Sequence, residues 1–204
     1  MTTDPTIWLV ARASGLLAYG LLTASVLAGL TLKVRPFGTR LRGATVMEVH
    51  RTLSFLGLAA IGLHGLALVL DHVVNIRISD LLVPGMAPYR PLWTALGVVA
   101  AELSVLVIVS FPLRKIIGAR VWRRLHWATY LTFALATLHG IQAGTDTSQP
   151  WAHALYIGAL ASVAGATTWR ALASQTAGER RRVKAASPAS TPTRARSARE
   201  QPAR

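Results

Sequence analysis

The chain has no cysteine. That excludes disulfides, thiolate-bound iron–sulfur clusters and covalently attached c-type haem. A metal or haem can then rest only on histidine, methionine, tyrosine or carboxylates. Charge is also scarce. Only 15% of the 204 residues are charged and 52% are hydrophobic, whereas soluble domains carry about 25% charged residues. Such a chain is too apolar for a water-soluble globule, and disorder is expected only at its ends. Acidic residues are the scarcest, 8 against 22 basic ones, for a net charge of +14. Low charge and an excess of base agree if the apolar residues lie in lipid and the basic ones in loops facing the cytoplasm.

A bilayer core needs about 20 apolar residues of helix. Five stretches qualify: Ile7–Leu32, Val46–Leu70, Leu92–Leu113, Val121–Ile141 and Trp151–Leu172. The expected fold is therefore all-α, an integral-membrane bundle of five transmembrane helices over residues 1–173. The leader MTTDPT has no positive charge, so the first stretch reads as a span and not as a signal peptide. The breaks fall at Pro36 and Gly38, at Pro84, Gly85, Pro88 and Pro91, at Gly118, and from Gly144 to Pro150. Trp8, Trp93 and Trp151 mark one kind of span end, Trp122 and Trp169 the other, as in an interfacial aromatic belt.

Basic residues set the orientation. Lys33, Arg35, Arg40 and Arg42 crowd the first loop; Arg114, Lys115, Arg120, Arg123 and Arg124 crowd the third. The second and fourth loops carry few. Loops one and three then face the cytoplasm, with the N-terminus outside and the C-terminus inside. The localisation that follows is a bacterial plasma membrane crossed several times. Residues 174–204 are rich in Arg, Ala, Ser, Thr and Pro without periodicity. They are expected to be a disordered cytoplasmic tail near anionic lipid, with no nucleic-acid motif.

Four of the six histidines lie inside spans: His50 and His64 in the second, His126 and His139 in the fourth. Ionisable residues inside a membrane are costly and point to function. Both spans start at the same face, so they run parallel. His64 lies 14 residues beyond His50, about 21 Å of rise, and His139 lies 13 beyond His126, about 20 Å. Each histidine thus has a partner at its own depth, His50 with His126 and His64 with His139. Two such pairs suit two six-coordinate b haems, whereas a structural zinc site wants more ligands per level. Fourteen residues keep His50 and His64 on one helix face. Thirteen rotate His139 off the face of His126, so overwinding, a bend or different ring rotamers must compensate.

These segments resemble a known family. ARASGLLAY at Ala11–Tyr19, HRTLSFLGLAAIGLHG at His50–Gly65, WRRLHWATYL at Trp122–Leu131 and LHGIQAGTD at Leu138–Asp146 are similar to the ferric reductase-like transmembrane domain. That domain is shared by ferric reductases, NADPH oxidases and the haem subunit of the periplasmic methionine-sulfoxide reductase system. The resemblance covers roughly residues 8–172. It implies haem-iron ligation by His50, His64, His126 and His139, and electron flow from the cytoplasm outward. One departure stands out: no strand–GxGxxG–helix unit is present, so no flavin or NADPH site is expected in this chain. Electrons are then expected from a separate cytoplasmic flavoprotein reductase or from quinol, and pass to an extracytoplasmic acceptor. The rivals are a b561-like quinol or small-molecule cytochrome and a cofactor-free scaffold or transporter subunit.

Arginine pairs well with carboxylates such as haem propionates. Arg51 is assigned to the inner haem and Arg12 to the outer one. Glu102, near the middle of the third span, should be neutral, paired or facing a polar cavity. His72 and His153 lie near the outer surface, where with Asp71 and Asp146 they would suit a docking ferric chelate.

Overall fold

The computed structural model describes residues 5–34, 43–71 and 74–186. The first loop from Arg35 to Arg42, His72 and the end of the tail lie outside the described residues. Within them the chain is helical, without strands: α1 (Pro5–Val34), α2 (Gly43–Leu70), α3 (Ile78–Leu82), α4 (Pro91–His126), α5 (Ala128–Ala143) and α6 (Pro150–Ala186). Residues 1–170 form one compact unit and residues 171–204 a second.

Proline opens α1, α4 and α6, where the missing N–H would have had no helical partner in any case. Several serines and threonines inside the helices return their hydroxyls to their own helix. Thr23 donates to the Tyr19 carbonyl, Ser104 to Ala100 and Thr137 to Phe133, at 2.7–2.8 Å. Such internal satisfaction is what a water-free surround demands. Among the described residues three stretches are long and apolar enough to cross a membrane: Thr6–Leu32, Gly43–Leu70 and Pro91–Ala143. The expected stretch Trp151–Leu172 folds as part of α6 but is not among them, being rich in alanine, glycine and threonine.

The third of these stretches, 53 residues long, is more than twice what a bilayer needs. It doubles back on itself. Gly118, at φ 81°, breaks the helical path inside α4, in a backbone region that glycine enters without penalty. Across the reversal the Phe111 ring meets Trp122 at 6.0 Å, the His139 ring bonds the Trp93 carbonyl, and Tyr89 reaches the Ala143 carbonyl. The members of these pairs are centred on residue 116, the signature of an antiparallel hairpin.

Helices α1 and α2 are likewise antiparallel, since His64 contacts Ala11 and His50 contacts Ser25. Helix α1 is antiparallel to α5 as well: Tyr19 stacks on Phe133 at 5.9 Å and bonds Thr137 at 3.1 Å, while Arg12, earlier on α1, pairs with Asp146 just beyond the end of α5. Helices α2 and α5 therefore run parallel. Tyr19, Phe133, Ala152, Tyr156, Ala159 and Val163 form a buried core between α1, α5 and α6.

Two local features differ from the sequence expectation. The connection after α2 holds the short helix α3, whose first turn is closed by the Arg77 N–H on the Asp80 carboxylate at 3.0 Å. Helix α6 continues through Ser174 to Ala186, into the stretch expected to be disordered. The run AGERRRVKAA explains this: alanine, glutamate, arginine and lysine are strong helix formers even without a hydrophobic period.

Candidate functional site: two histidine pairs

The four histidines of the second and fourth expected spans meet as the depth argument requires. His50 and His126 lie ring to ring with centroids 6.1 Å apart and planes at 79°. His64 and His139 lie 6.4 Å apart with planes at 74°. Among the described residues no three metal-ligating side chains cluster; the histidines come in twos.

The rotation problem on the second helix is eased in part at Trp127, between α4 and α5. The Tyr130 N–H bonds the Trp127 carbonyl, an i→i+3 contact, at 3.1 Å. A 3₁₀-type turn advances about 120° per residue where an α-helix advances about 100°. This is overwinding in the sense needed to bring His139 back toward the face of His126.

Three of the rings are held the same way. His64 Nδ1 bonds the Ala11 carbonyl at 2.7 Å, His50 Nδ1 the Ser25 carbonyl at 2.8 Å, and His139 Nδ1 the Trp93 carbonyl at 2.9 Å. A carbonyl only accepts, so Nδ1 carries the hydrogen and Nε2 is left with its lone pair. In each case the residue four places after the accepting carbonyl is glycine: Gly15, Gly29 and Gly97. A Cβ at Gly97 would lie 2.6 Å from the His139 ring, one at Gly15 3.0 Å from His64, and one at Gly29 3.3 Å from His50. The glycine therefore opens a notch through which the ring reaches a carbonyl already used by its own helix. Ser25 and Ser54 extend the network at His50, with hydroxyls 2.8 Å apart.

His126 is held otherwise. Its ring stacks on Trp122, one turn earlier, at 5.2 Å and 27°. Among the described residues it has no backbone acceptor.

The remaining candidates fall as follows. Arg12 ion-pairs with Asp146 and lies over the Trp8 ring, 5.0 Å from its centroid; this cluster sits at the His64–His139 end. Arg51 pairs with Glu48 at 2.5 Å, both more than half exposed. Glu102 is exposed on a face of α4 shared with Val105, Leu106 and Val109. His153 is exposed in the first turns of α6. The glycine notches escape a reading of the sequence, where the available signal is a histidine-bearing span next to one with recurring glycine.

Comparison with known families decides one point. The model of a family described as "Domain of unknown function (DUF8596)" matches residues 6–146. The chain belongs to this family. The match takes in α1 to α5 and so all four paired histidines and their glycine notches. No curated protein and no solved structure matches the chain.

Proposed function

We propose that the chain is a membrane electron carrier that holds two b haems, one between His50 and His126 and one between His64 and His139. The observation that carries this reading is the paired geometry. An imidazole nitrogen sits about 2.0 Å from a bound metal, with the ring centre about 1.1 Å beyond, so two axial imidazoles put their centres about 6.2 Å apart. The observed 6.1 and 6.4 Å match that spacing. Ring planes turn freely about the metal–nitrogen axis, so planes at 74–79° fit as well. Two donors per level suit a macrocycle that brings its own four.

A haem bound at each pair supplies a one-electron iron couple. The protein supplies the rest. Nδ1–H bonds to Ser25, Ala11 and Trp93 hold three rings in the ligating tautomer and raise their basicity. The apolar faces of α1, α2, α4 and α5 keep water away. The resemblance to ferric reductase-like domains supports transfer from a cytoplasmic donor, a flavoprotein or quinol, to an extracytoplasmic acceptor. In this reading the chain crosses the cell membrane five times. The hairpin at Gly118 contributes two crossings, α6 is the fifth, and the N-terminus lies outside.

A reduced-minus-oxidised absorption spectrum of the purified protein tests the proposal. Low-spin b-type bands that carbon monoxide does not perturb are expected, since both axial positions are filled. A spectrum without haem bands from correctly inserted protein would instead favour a scaffold or transporter subunit.

A further inference from the structure

The reversal at Gly118 carries more charge and more helix than a turn between two crossings needs. Arg114, Lys115, Arg120, Arg123 and Arg124 gather there without an acidic residue among them, and all are exposed. The ion pairs among the described residues lie elsewhere, Arg12 with Asp146 and Arg51 with Glu48.

Length carries this charge past the lipid. In the five-crossing reading, a crossing that starts at Leu92 uses about 20 residues and ends at Phe111. The helix runs on to Ile117, about 9 Å further, whereas the headgroup layer is about 5–7 Å deep. Trp122 brings the second arm back to the level of Phe111, with the two rings 6.0 Å apart. The tip between them stands clear of the bilayer. Orientation needs only a bias of charge; it does not need a projection of this length.

Apolar side chains are exposed on the same projection. Ile116 is 82% exposed, and Leu113 and Val121 are nearly half exposed. An apolar centre ringed by cations has the make-up of a protein interface, with a core that becomes dry and a charged rim. The tip is also joined to the His50–His126 pair by contact. The Arg114 guanidinium lies over the Phe111 ring at 4.4 Å, Phe111 meets Trp122, and Trp122 stacks on His126 at 5.2 Å.

Resting on the two-haem reading, we propose that this tip is the docking surface for a soluble acidic flavoprotein that donates electrons at the His50–His126 end. The cations steer and orient the acidic partner, and Ile116 anchors it. Each electron that the partner's reduced flavin gives up reduces one ferric iron, and the flavin's protons pass to water. A quinol is uncharged and carried in lipid, so it has no use for a cationic surface outside the lipid.

The test uses the haem-loaded full chain in phosphatidylcholine nanodiscs, which expose both faces and hold no anionic lipid. The probe is flavodoxin, a small acidic flavin protein. The parent is compared with Arg114→Gln/Lys115→Gln/Arg120→Gln and with the charge-keeping Arg114→Lys/Arg120→Lys; equal haem content and helicity show that the variants fold. Surface plasmon resonance reads association, and stopped flow with reduced flavodoxin reads haem reduction. The triple variant should be slower about tenfold in both, the scale of electrostatic steering, and the charge-keeping variant should match the parent. Raising ionic strength from about 0.05 M to about 0.5 M should bring the parent toward the triple variant. Ile116→Ser should speed dissociation and leave association unchanged. A two-haem parent that binds flavodoxin no better than the triple variant would overturn the docking proposal and leave the two-haem reading intact. So would a triple variant whose one defect is lost binding to phosphatidylglycerol vesicles, since the tip would then be a lipid anchor. A parent with no haem would overturn the donor role and the two-haem reading together.

Discussion

His139 reaches across the hairpin to the carbonyl of Trp93 at 2.9 Å only because residue 97 has no side chain. The same arrangement, a ring bonded to one carbonyl and passing over the glycine four residues on, recurs for His64 over Gly15 and His50 over Gly29. It makes the glycines as much a part of the site as the histidines.

Gly97→Ala should therefore behave like a ligand mutation. The added methyl would sit 2.6 Å from the His139 ring, with nothing flexible between. The ring must move, losing its backbone bond, and overpacking of this kind costs about 1–3 kcal/mol. Haem retention at the His64–His139 pair should fall sharply. Gly15→Ala should do less, and Gly29→Ala least, following the 3.0 and 3.3 Å approaches. Gly62→Ala, with open space around it, should leave haem content at the parental level. The check is haem per chain after purification, with insertion confirmed for each variant.

The Arg12–Asp146 pair should respond asymmetrically. The Asp146 side chain is 13% exposed and that of Arg12 33%. Arg12→Gln strands a mostly buried carboxylate and should cost about 2 kcal/mol. Asp146→Asn leaves an arginine that still lies over Trp8 and can reach water, and should cost about half as much. Thermal unfolding in detergent reads both.

The absence of cysteine makes the chain ready for single-cysteine topology mapping. Met86, 57% exposed between α3 and α4, should label from outside intact cells once changed to cysteine. Ile116, 82% exposed beside the Gly118 reversal, should label only after permeabilisation. The opposite pattern would invert the orientation, and labelling of both from one side would remove the hairpin's two crossings.

Much of this arrangement is legible in the sequence. The matched spacings of 14 and 13 residues announce the pairing of His50 with His126 and His64 with His139, because rise along a helix depends only on residue count. Gly118 and the prolines announce the breaks. What the sequence hides is lateral. Which helix lies beside which decides that Gly15, Gly29 and Gly97 face histidines, and no single helix carries that information. The partner of Arg51 is closer to hand. Glu48 stands three residues before it, the spacing of a helical ion pair, and the two side chains pair in the structure. The helix after Ser174 is hidden for another reason. It has helix-forming residues but no apolar stripe, so hydrophobic periodicity does not reveal it.

Whether each histidine pair holds one haem is read by pyridine-haemochrome quantitation of purified, membrane-inserted protein. About two b haems per parental chain are expected, and about one in His64→Ala or in His126→Ala, since either substitution removes an iron ligand from one pair alone. Parental protein without haem, or His64→Ala protein that retains the full parental complement, would contradict it.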